Sequence, residues 1–454
     1  MIQIQISQDN LTSNILKYML QKYRYIILGF ILILGLFLRN HNLYTWPRQG
    51  ATFDEYAWTW LGINLIQNHE PVSWSYYQQY NNRREIIYQK TGFVLVRPYL
   101  EHPPLFGLVA GSYALLSGAR DMYHVNLQNI RGLALALGTL SIFMVFLLAK
   151  EVYGHRIGLL STFIYAITPT IVVGSRIVQN ENFFIPFFLL SLYLISRFLK
   201  TKNPWFRNIA AIICGLLTLA KVPWITATLS IVFIFLFLRK YKDIFKFLLI
   251  VVPIFLLFFV YGTLFDREVF FSLWQLQLHR FNLTFNSFFS FLTSPYLADR
   301  FMIDGWIYFG WFGVFLLMVK DLKKNIFVIF PFLSYFIFFV TAVSGDAEHG
   351  WYRYPFYPFL TISTALFLKE YFNKNYTLTF LFLILTGLSM LELSWAQTLG
   401  FSFIVFRFFL ILFGLSMLPL FIPKTKKLSM YINYFSLVIV LLLSVWAVKN
   451  YNEQ

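Results

Sequence analysis

Cysteine is all but missing from this chain. Cys214 is the single one and lies inside an apolar run, so no intrachain disulfide can form. Charge is scarce as well: 13% of the 454 residues are charged against 58% hydrophobic, and a soluble domain of that composition would expose too much apolar surface. No P-loop, no Gly-x-Gly-x-x-Gly turn and no zinc motif occurs, which leaves soluble nucleotide chemistry without a foothold. What fills the sequence instead is a recurring set of apolar runs about 17–22 residues long, rich in the 54 Phe.

The chain therefore reads as an all-α polytopic membrane protein with no soluble domain left over, one integral membrane domain over residues 1–454. Spans are expected near residues 31, 140, 165, 189, 214, 231, 254, 312, 334, 362, 385, 411 and 439, thirteen in all. The first, Tyr25 to Leu38, starts basic like a signal peptide but lacks a small-residue cleavage site, so it reads as a retained helix. A net charge of +17 does not point to nucleic acid, because the Lys and Arg sit in short clusters between apolar runs. Such clusters set membrane orientation and meet anionic lipid headgroups.

Those clusters fix a topology. If Pro103 to Gly118 does not cross, then Lys17/Lys22/Arg24, Lys150/Arg156, Arg197/Lys200/Lys202/Arg207, Arg239/Lys240/Lys242/Lys246, Lys320/Lys323/Lys324, Lys369/Lys374 and Lys424/Lys426/Lys427 share one side. Together they hold most of the 37 Lys and Arg, with only Asp9, Glu151, Asp243, Asp321 and Glu370 among them, and the positive-inside rule makes that side the cytoplasm. The opposite side receives a long first loop, about 40–128, and a second, about 262–304. In the first loop, juxtamembrane helices are expected at about 52–66 and 103–118, the latter re-entrant or surface-lying.

This external side collects the chemistry. Thr52-Phe53-Asp54-Glu55 fits a capping box, with Trp58, Leu61 and Leu65 at helical spacing behind it, so the helix is expected to lie on the membrane with one face buried. If Glu55 serves the cap, Asp54 is left to act as general base toward a hydroxyl; the plainer role of both acids is to favour a helix N-terminus. His102 precedes a Pro-Pro helix start and can donate to a phosphate, ligate a metal or simply anchor a polar turn. Arg131 at the entry to the second span either snorkels to headgroups or binds phosphate. Glu181 sits close to hydrocarbon and needs a partner, for which Arg176 is the nearest cation in sequence. Lys221 runs against the charge bias, which suits anion binding. Asp346 to Pro355 crowds acids, His349, Arg353, Tyr354 and further aromatics into ten residues, of which the aromatics also fit an interface belt. No metal spacing is diagnostic, although Asp54, Glu55 and His349 could supply ligands to a divalent ion.

Taken together, Asp54-Glu55-Tyr56, His102-Pro103-Pro104-Leu105, Arg131, Arg176…Glu181, Gly215…Lys221 and His349…Arg353-Tyr354-Pro355…Pro358 resemble the GT-C membrane glycosyltransferases that use polyprenyl-phosphate sugars. The protein O-mannosyltransferases and lipid A aminoarabinose transferases are the groups most alike, over at least residues 25–370. The resemblance implies a GT-C fold with Asp54 as catalytic base. It implies Glu55 shaping the acceptor site, and donor or substrate contacts at His102, Arg131, Glu181, Lys221, His349, Arg353 and Tyr354. The implied partners are a polyprenyl-phosphate sugar donor and a lipid, glycan or protein acceptor, at the non-cytoplasmic face of the plasma membrane, with no nucleotide needed. The aminoarabinose enzymes have lysine where His102 stands, and 262–304 is too short for the lumenal β-domain usual in the O-mannosyltransferases. The rival class is a lipid-linked sugar flippase or transporter, which predicts mid-membrane charge and inverted repeats. Here the charges gather at span ends, with Glu392 the nearest exception.

Overall fold

The computed structural model describes residues 22–279, 297–298, 302–343, 349–394 and 402–450. Lys17, Asp9, Asp346, Glu348 and much of the second long loop lie outside the described residues. The chain opens with α1 (Arg24–Asn40) and α2 (Asp54–Asn68), followed by strands β1 (Ser73–Trp74), β2 (Arg83–Tyr88) and β3 (Thr91–Val96). Next come α3 (Leu105–Leu116), α4 (Leu127–Tyr153), α5 (His155–Ile167), α6 (Pro169–Gly174) and α7 (Asn180–Thr201). Then follow α8 (Pro204–Thr218), α9 (Ile225–Phe237), α10 (Tyr241–Phe265), α11 (Arg267–Leu278), α12 (Gly305–Lys320) and α13 (Ile326–Ala342). The last are α14 (Tyr357–Glu370), α15 (Tyr376–Ser394), α16 (Phe403–Gly414), α17 (Leu418–Phe421) and α18 (Lys426–Asn450).

A helix stands at each of the thirteen expected places, and five of them are long and apolar enough to cross a membrane by length and composition alone. This is an integral membrane protein. One apolar core runs from Leu28 to Val448 through the bundle, and a smaller cluster joins the loop residues Leu61, Tyr80, Val96 and Leu100 to Phe258 of α10 and Phe270 of α11. Helix α11, from the second long loop, thereby packs onto the first.

The two ends of the bundle differ in kind. Away from the long loop, Lys200 pairs with Glu151 at 2.9 Å, Arg207 with Asp243 at 2.8 Å, and Lys320 with Glu370, while Tyr153 donates to Asn325 at 3.1 Å. These contacts tie together the very segments whose basic residues were grouped on one side.

The first loop departs from the sequence reading in two ways. It contains an antiparallel sheet in the order β1-β3-β2, where helices and irregular chain were expected. Tyr88 faces Thr91 across a two-residue turn, Gln89-Lys90, whose φ values of 47° and 67° match the twist of a hairpin without the usual Asn-Gly. The sheet is held by aromatics: Phe93 meets Phe53 and Trp60 edge-on, each with centroids 5.2 Å apart. Second, α2 does not lie on the membrane with one face buried. Every residue from Glu55 to Asn64 is buried, because β3, α3 and the entry to α7 enclose the helix.

Helix α3 packs along α2 with almost no side chain between them. A Cβ on Gly62 would stand 1.8 Å from the Gly107 carbonyl oxygen, and one on Gly111 would stand 2.4 Å from the Ile63 nitrogen. Close backbone approach of this sort is what small residues permit where helices meet in a membrane setting. The Leu105 N–H donates to the Leu219 carbonyl at 3.0 Å, which pins the start of α3 to the turn carrying Lys221.

Candidate active site

Helix α2 begins where Asp54 and Glu55 occupy its first turn, favoured there by the helix dipole. The cap differs from the expected box: the Thr52 hydroxyl accepts from the Asp54 N–H at 3.2 Å, and Glu55 does not return the bond. Glu55 turns inward instead. Arg131 donates Nε to its Oε1 at 3.1 Å and Nη2 to its Oε2 at 3.0 Å, and the Val178 N–H adds a bond of 2.9 Å. The guanidinium is completed by Nη1 bonds to the carbonyls of Leu43 and Pro47, at 2.9 and 2.6 Å. Arg131 itself is placed by a reciprocal cap at the start of α4, where Asn126 and Asn129 each accept from the other's backbone N–H. Both members of the pair are sealed from solvent, so Arg131, expected as a phosphate ligand, is engaged in joining α2 to α4.

Arg176 and Glu181 also find other partners than the sequence suggests. Arg176 donates to the carbonyls of Leu38 and Trp46, at 2.8 and 3.2 Å, and so holds the exit of α1. Glu181 pairs with Lys221 at 2.8 Å. The reason is local: the turn before α7 sends Arg176 back toward α1, while Asn180 accepts from Trp224 Nε1 at 2.6 Å and donates to the Ala220 carbonyl at 2.8 Å. Those two bonds bring the Lys221 turn onto the first turn of α7.

These elements enclose a cavity of about 110 Å³ lined by Asp54, Glu101, His102, Lys221, His349 and Tyr352 among others. Four expected site residues thus meet in one space: Asp54, His102, Lys221 and His349. The other five do not line it. Glu55 and Arg131 stand behind α2, and Glu181 stands behind Lys221. Arg353 is buried against the Phe339 ring, 5.9 Å from its centroid. Tyr354 is wedged against Gly174 and donates to the Leu297 carbonyl at 2.6 Å.

The walls have distinct electrostatics. The Asp54 carboxylate accepts from Gln179 Nε2 at 3.2 Å; the same amide donates to Thr52 at 2.8 Å and accepts from Trp58 Nε1 at 3.3 Å. Burial by itself would lower the Lys221 ammonium, but Glu181 and the Tyr352 side raise it to about 12, so it stays a cation. Its Nζ lies 4.9 Å from the Tyr352 ring centroid. His102 is the reverse: burial, with the neighbouring Lys221 charge, brings its pKa down to about 3, so it is neutral and offers an N–H without a charge. The His102 ring leans on Trp58, centroids 5.1 Å apart, and His349 stacks on Trp351 at 4.4 Å.

Two residues that the sequence reading did not place in the site belong to it. Gln179 orients Asp54, and its signal was an amide in a polar turn between two apolar helices. Glu101 lines the cavity beside His102, and burial pushes its carboxyl up to about 8. It carries a proton at neutral pH, although nothing in its local sequence says so. As for a metal, Glu55 is taken by Arg131, and among the described residues no three His, Cys, Asp or Glu side chains come together to hold an ion.

Comparison with known proteins adds the architecture. Residues 101–262 match the family profile described as dolichyl-phosphate-mannose-protein mannosyltransferase. ArnT from Cupriavidus metallidurans, solved bound to undecaprenyl phosphate, is similar at a TM-score of 0.57 and 13% identity, over 94% of this chain and 77% of that one. The fold is that of the GT-C glycosyltransferases. The archaeal oligosaccharyltransferase AglB from Archaeoglobus fulgidus, solved with an inhibitory peptide and a dolichol-phosphate, is similar at a TM-score of 0.52 and 14% identity, over 96% of this chain and 57% of that one. The arabinosyltransferase EmbB from Mycobacterium smegmatis gives 0.52 and 10% identity, over 93% and 41%. The chain thus spans less than two thirds of the length of AglB and EmbB. No curated protein sequence matches.

Proposed function

We propose that this protein is a membrane glycosyltransferase that moves a sugar from a polyprenyl-phosphate donor to an acceptor hydroxyl, at the external face of the plasma membrane and with inversion at C1. The observation that carries this reading is the shared cavity: a carboxylate, Asp54, and a persistent cation, Lys221, line one space between the long loop and the bundle. The concentration of basic clusters at the other end supports an external site. A lipid-linked donor keeps its tail in the bilayer and presents C1 at that surface.

In the reaction the acceptor oxygen attacks C1 as the C1–O bond to phosphate breaks, through an oxocarbenium-like transition state. The Asp54 carboxylate takes the acceptor proton. Lys221 stabilises charge on the departing phosphate, with N–H donation from His102 and His349. Glu181 keeps Lys221 charged and aimed. Gln179 orients Asp54, and the Glu55–Arg131 pair holds the helix that presents it; Arg353 and Tyr354 fix the turn that delivers His349 and Tyr352. The acceptor is a lipid, glycan or protein hydroxyl.

The test is sugar transfer from a panel of polyprenyl-phosphate sugars by purified, lipid-reconstituted protein, wild type beside Asp54→Asn. Loss of a general base lowers transfer about 100-fold or more, with thermal melting unchanged. Equal transfer by both proteins would move the base elsewhere. Flipping of the same lipids without donor consumption would replace the enzyme by a transporter.

A further inference from the structure

The end of the bundle away from the active site carries a groove that the proposed reaction does not use. It runs between α1 and α5, encloses about 500 Å³, and is walled by Ile27, Ile31 and Leu34 from one helix and Leu159, Leu160 and Phe163 from the other, with Arg156 at its mouth. The pattern follows from helix periodicity. Arg24, Ile27, Ile31 and Leu34 recur on one face of α1, and Arg156, Leu159, Leu160 and Phe163 on one face of α5. Both helices start at the same end, so each apolar stripe begins with an arginine at that end.

More positive character gathers there. Arg24 Nη1 lies 3.2 Å from His155 Nε2, and because arginine only donates, Nε2 accepts and the ring proton sits on Nδ1. That Nδ1 is buried with no hydrogen-bond partner. Lys150 Nζ lies 5.8 Å from the Tyr25 ring and 5.6 Å from Phe146. The N-termini of α1 and α5 point into the same region without side-chain caps, adding partial positive charge. Glu151, next to Lys150 in sequence, is engaged with Lys200 at 2.9 Å and Arg197 at 3.6 Å. Among the described residues none of Arg24, Lys150 and Arg156 has a carboxylate partner. An apolar slot that opens beside a cluster of cations is complementary to a lipid with a negative headgroup.

We propose that this groove is a binding site for an anionic phospholipid of the surrounding bilayer, with an acyl chain lying between α1 and α5 and its phosphate held by Arg24, Lys150 and Arg156. The bound lipid fills the seam by which α1, which leads into the catalytic loop, is attached to the bundle.

Native mass spectrometry of the full-length protein, exchanged into detergent with phosphatidylglycerol or phosphatidylcholine, reads the site directly. Wild type retains phosphatidylglycerol in clear preference to phosphatidylcholine. Arg24→Gln with Arg156→Gln reduces that preference by about fivefold for each cation removed. Ile31→Trp, which fills the slot with all charges in place, lowers phosphatidylglycerol retention as well. Arg197→Gln, a cation on the same side outside the groove, leaves retention as in wild type. Equal retention of the two lipids by wild type overturns the proposal, as does a preference that survives both the double variant and Ile31→Trp. An equal drop with Arg197→Gln also overturns it, since attraction would then belong to the whole basic face. Should the double variant fail to fold, wild type and Ile31→Trp decide.

Discussion

The ion pairs that frame the cavity and the lysine pair at the far end of the bundle handle charge in opposite ways. Behind the cavity the pairs are enclosed: Glu55–Arg131 has side-chain exposures of 1% and 0%, and Glu181–Lys221 of 0% and 7%, whereas Arg97–Glu70 at the rim of the loop is open. At the other end Glu151–Lys200 is open to solvent on its lysine side, at 55%. An enclosed pair cannot be hydrated if one partner is lost, whereas an exposed one can. The enclosed pairs therefore fix geometry around the cavity, while the open pair at the other end holds little in place.

The contrast breaks most visibly at Glu55. Glu55→Gln leaves the Arg131 guanidinium buried without its anion and is expected to cost about 3–5 kcal/mol, read as a lowered unfolding midpoint in detergent. Lys221→Met should cost a similar amount by stranding Glu181, and the double variant Glu181→Gln/Lys221→Met should recover most of that stability. Sugar transfer should stay lost in the double variant, which separates the lysine's part in folding from its part in chemistry. Recovery of both would show that Lys221 serves structure alone.

Gly111→Val tests the seam behind the cavity. Its side chain meets the α2 backbone at Ile63, so overpacking of about 1–3 kcal/mol is expected in the same unfolding measurement. A smaller effect is expected from pH. The Glu101 carboxyl is held near 8 in the folded chain against an ordinary 4.5, so the folded form binds the extra proton. Its contribution to stability is full below about 4.5 and is lost as pH rises through about 8. Glu101→Gln should therefore melt with a shallower decline than wild type between those limits. Smallest of all, Lys200→Gln is expected to shift stability by less than about 1 kcal/mol. A shift there as large as at Glu55 would erase the distinction between the two ends.

The positions of the bundle helices were legible because long apolar runs in a charge-poor chain admit few other structures. The hairpin was not. Gln89-Lys90 occupies backbone positions that Asn-Gly would have announced, and the strands around it are short. At the candidate site, the residue types did not disclose their partners. Arg176 is five residues from Glu181, yet the buried acid is met by Lys221, 40 positions away, because two Asn180 bonds bring that turn onto α7. Arg131 looked like a phosphate ligand because an arginine at a span boundary carries no mark of the carboxylate it faces. Glu101 shows the same limit: a proton held by burial is a property of the folded surroundings and cannot be read from neighbours in sequence.

The meeting of Gly62 with Gly107 and Gly111 bears on how such a chain can evolve. Main chain touches main chain there, so the spacing of α2 and α3 is set largely by backbone, with Trp58 against Phe106 as a side-chain contact between them. Exposed positions on either helix can drift while the two helices keep their distance. A saturation scan of α2 and α3 should then show three intolerant columns at these glycines beside permissive ones at exposed sites such as Ile66 and Leu116.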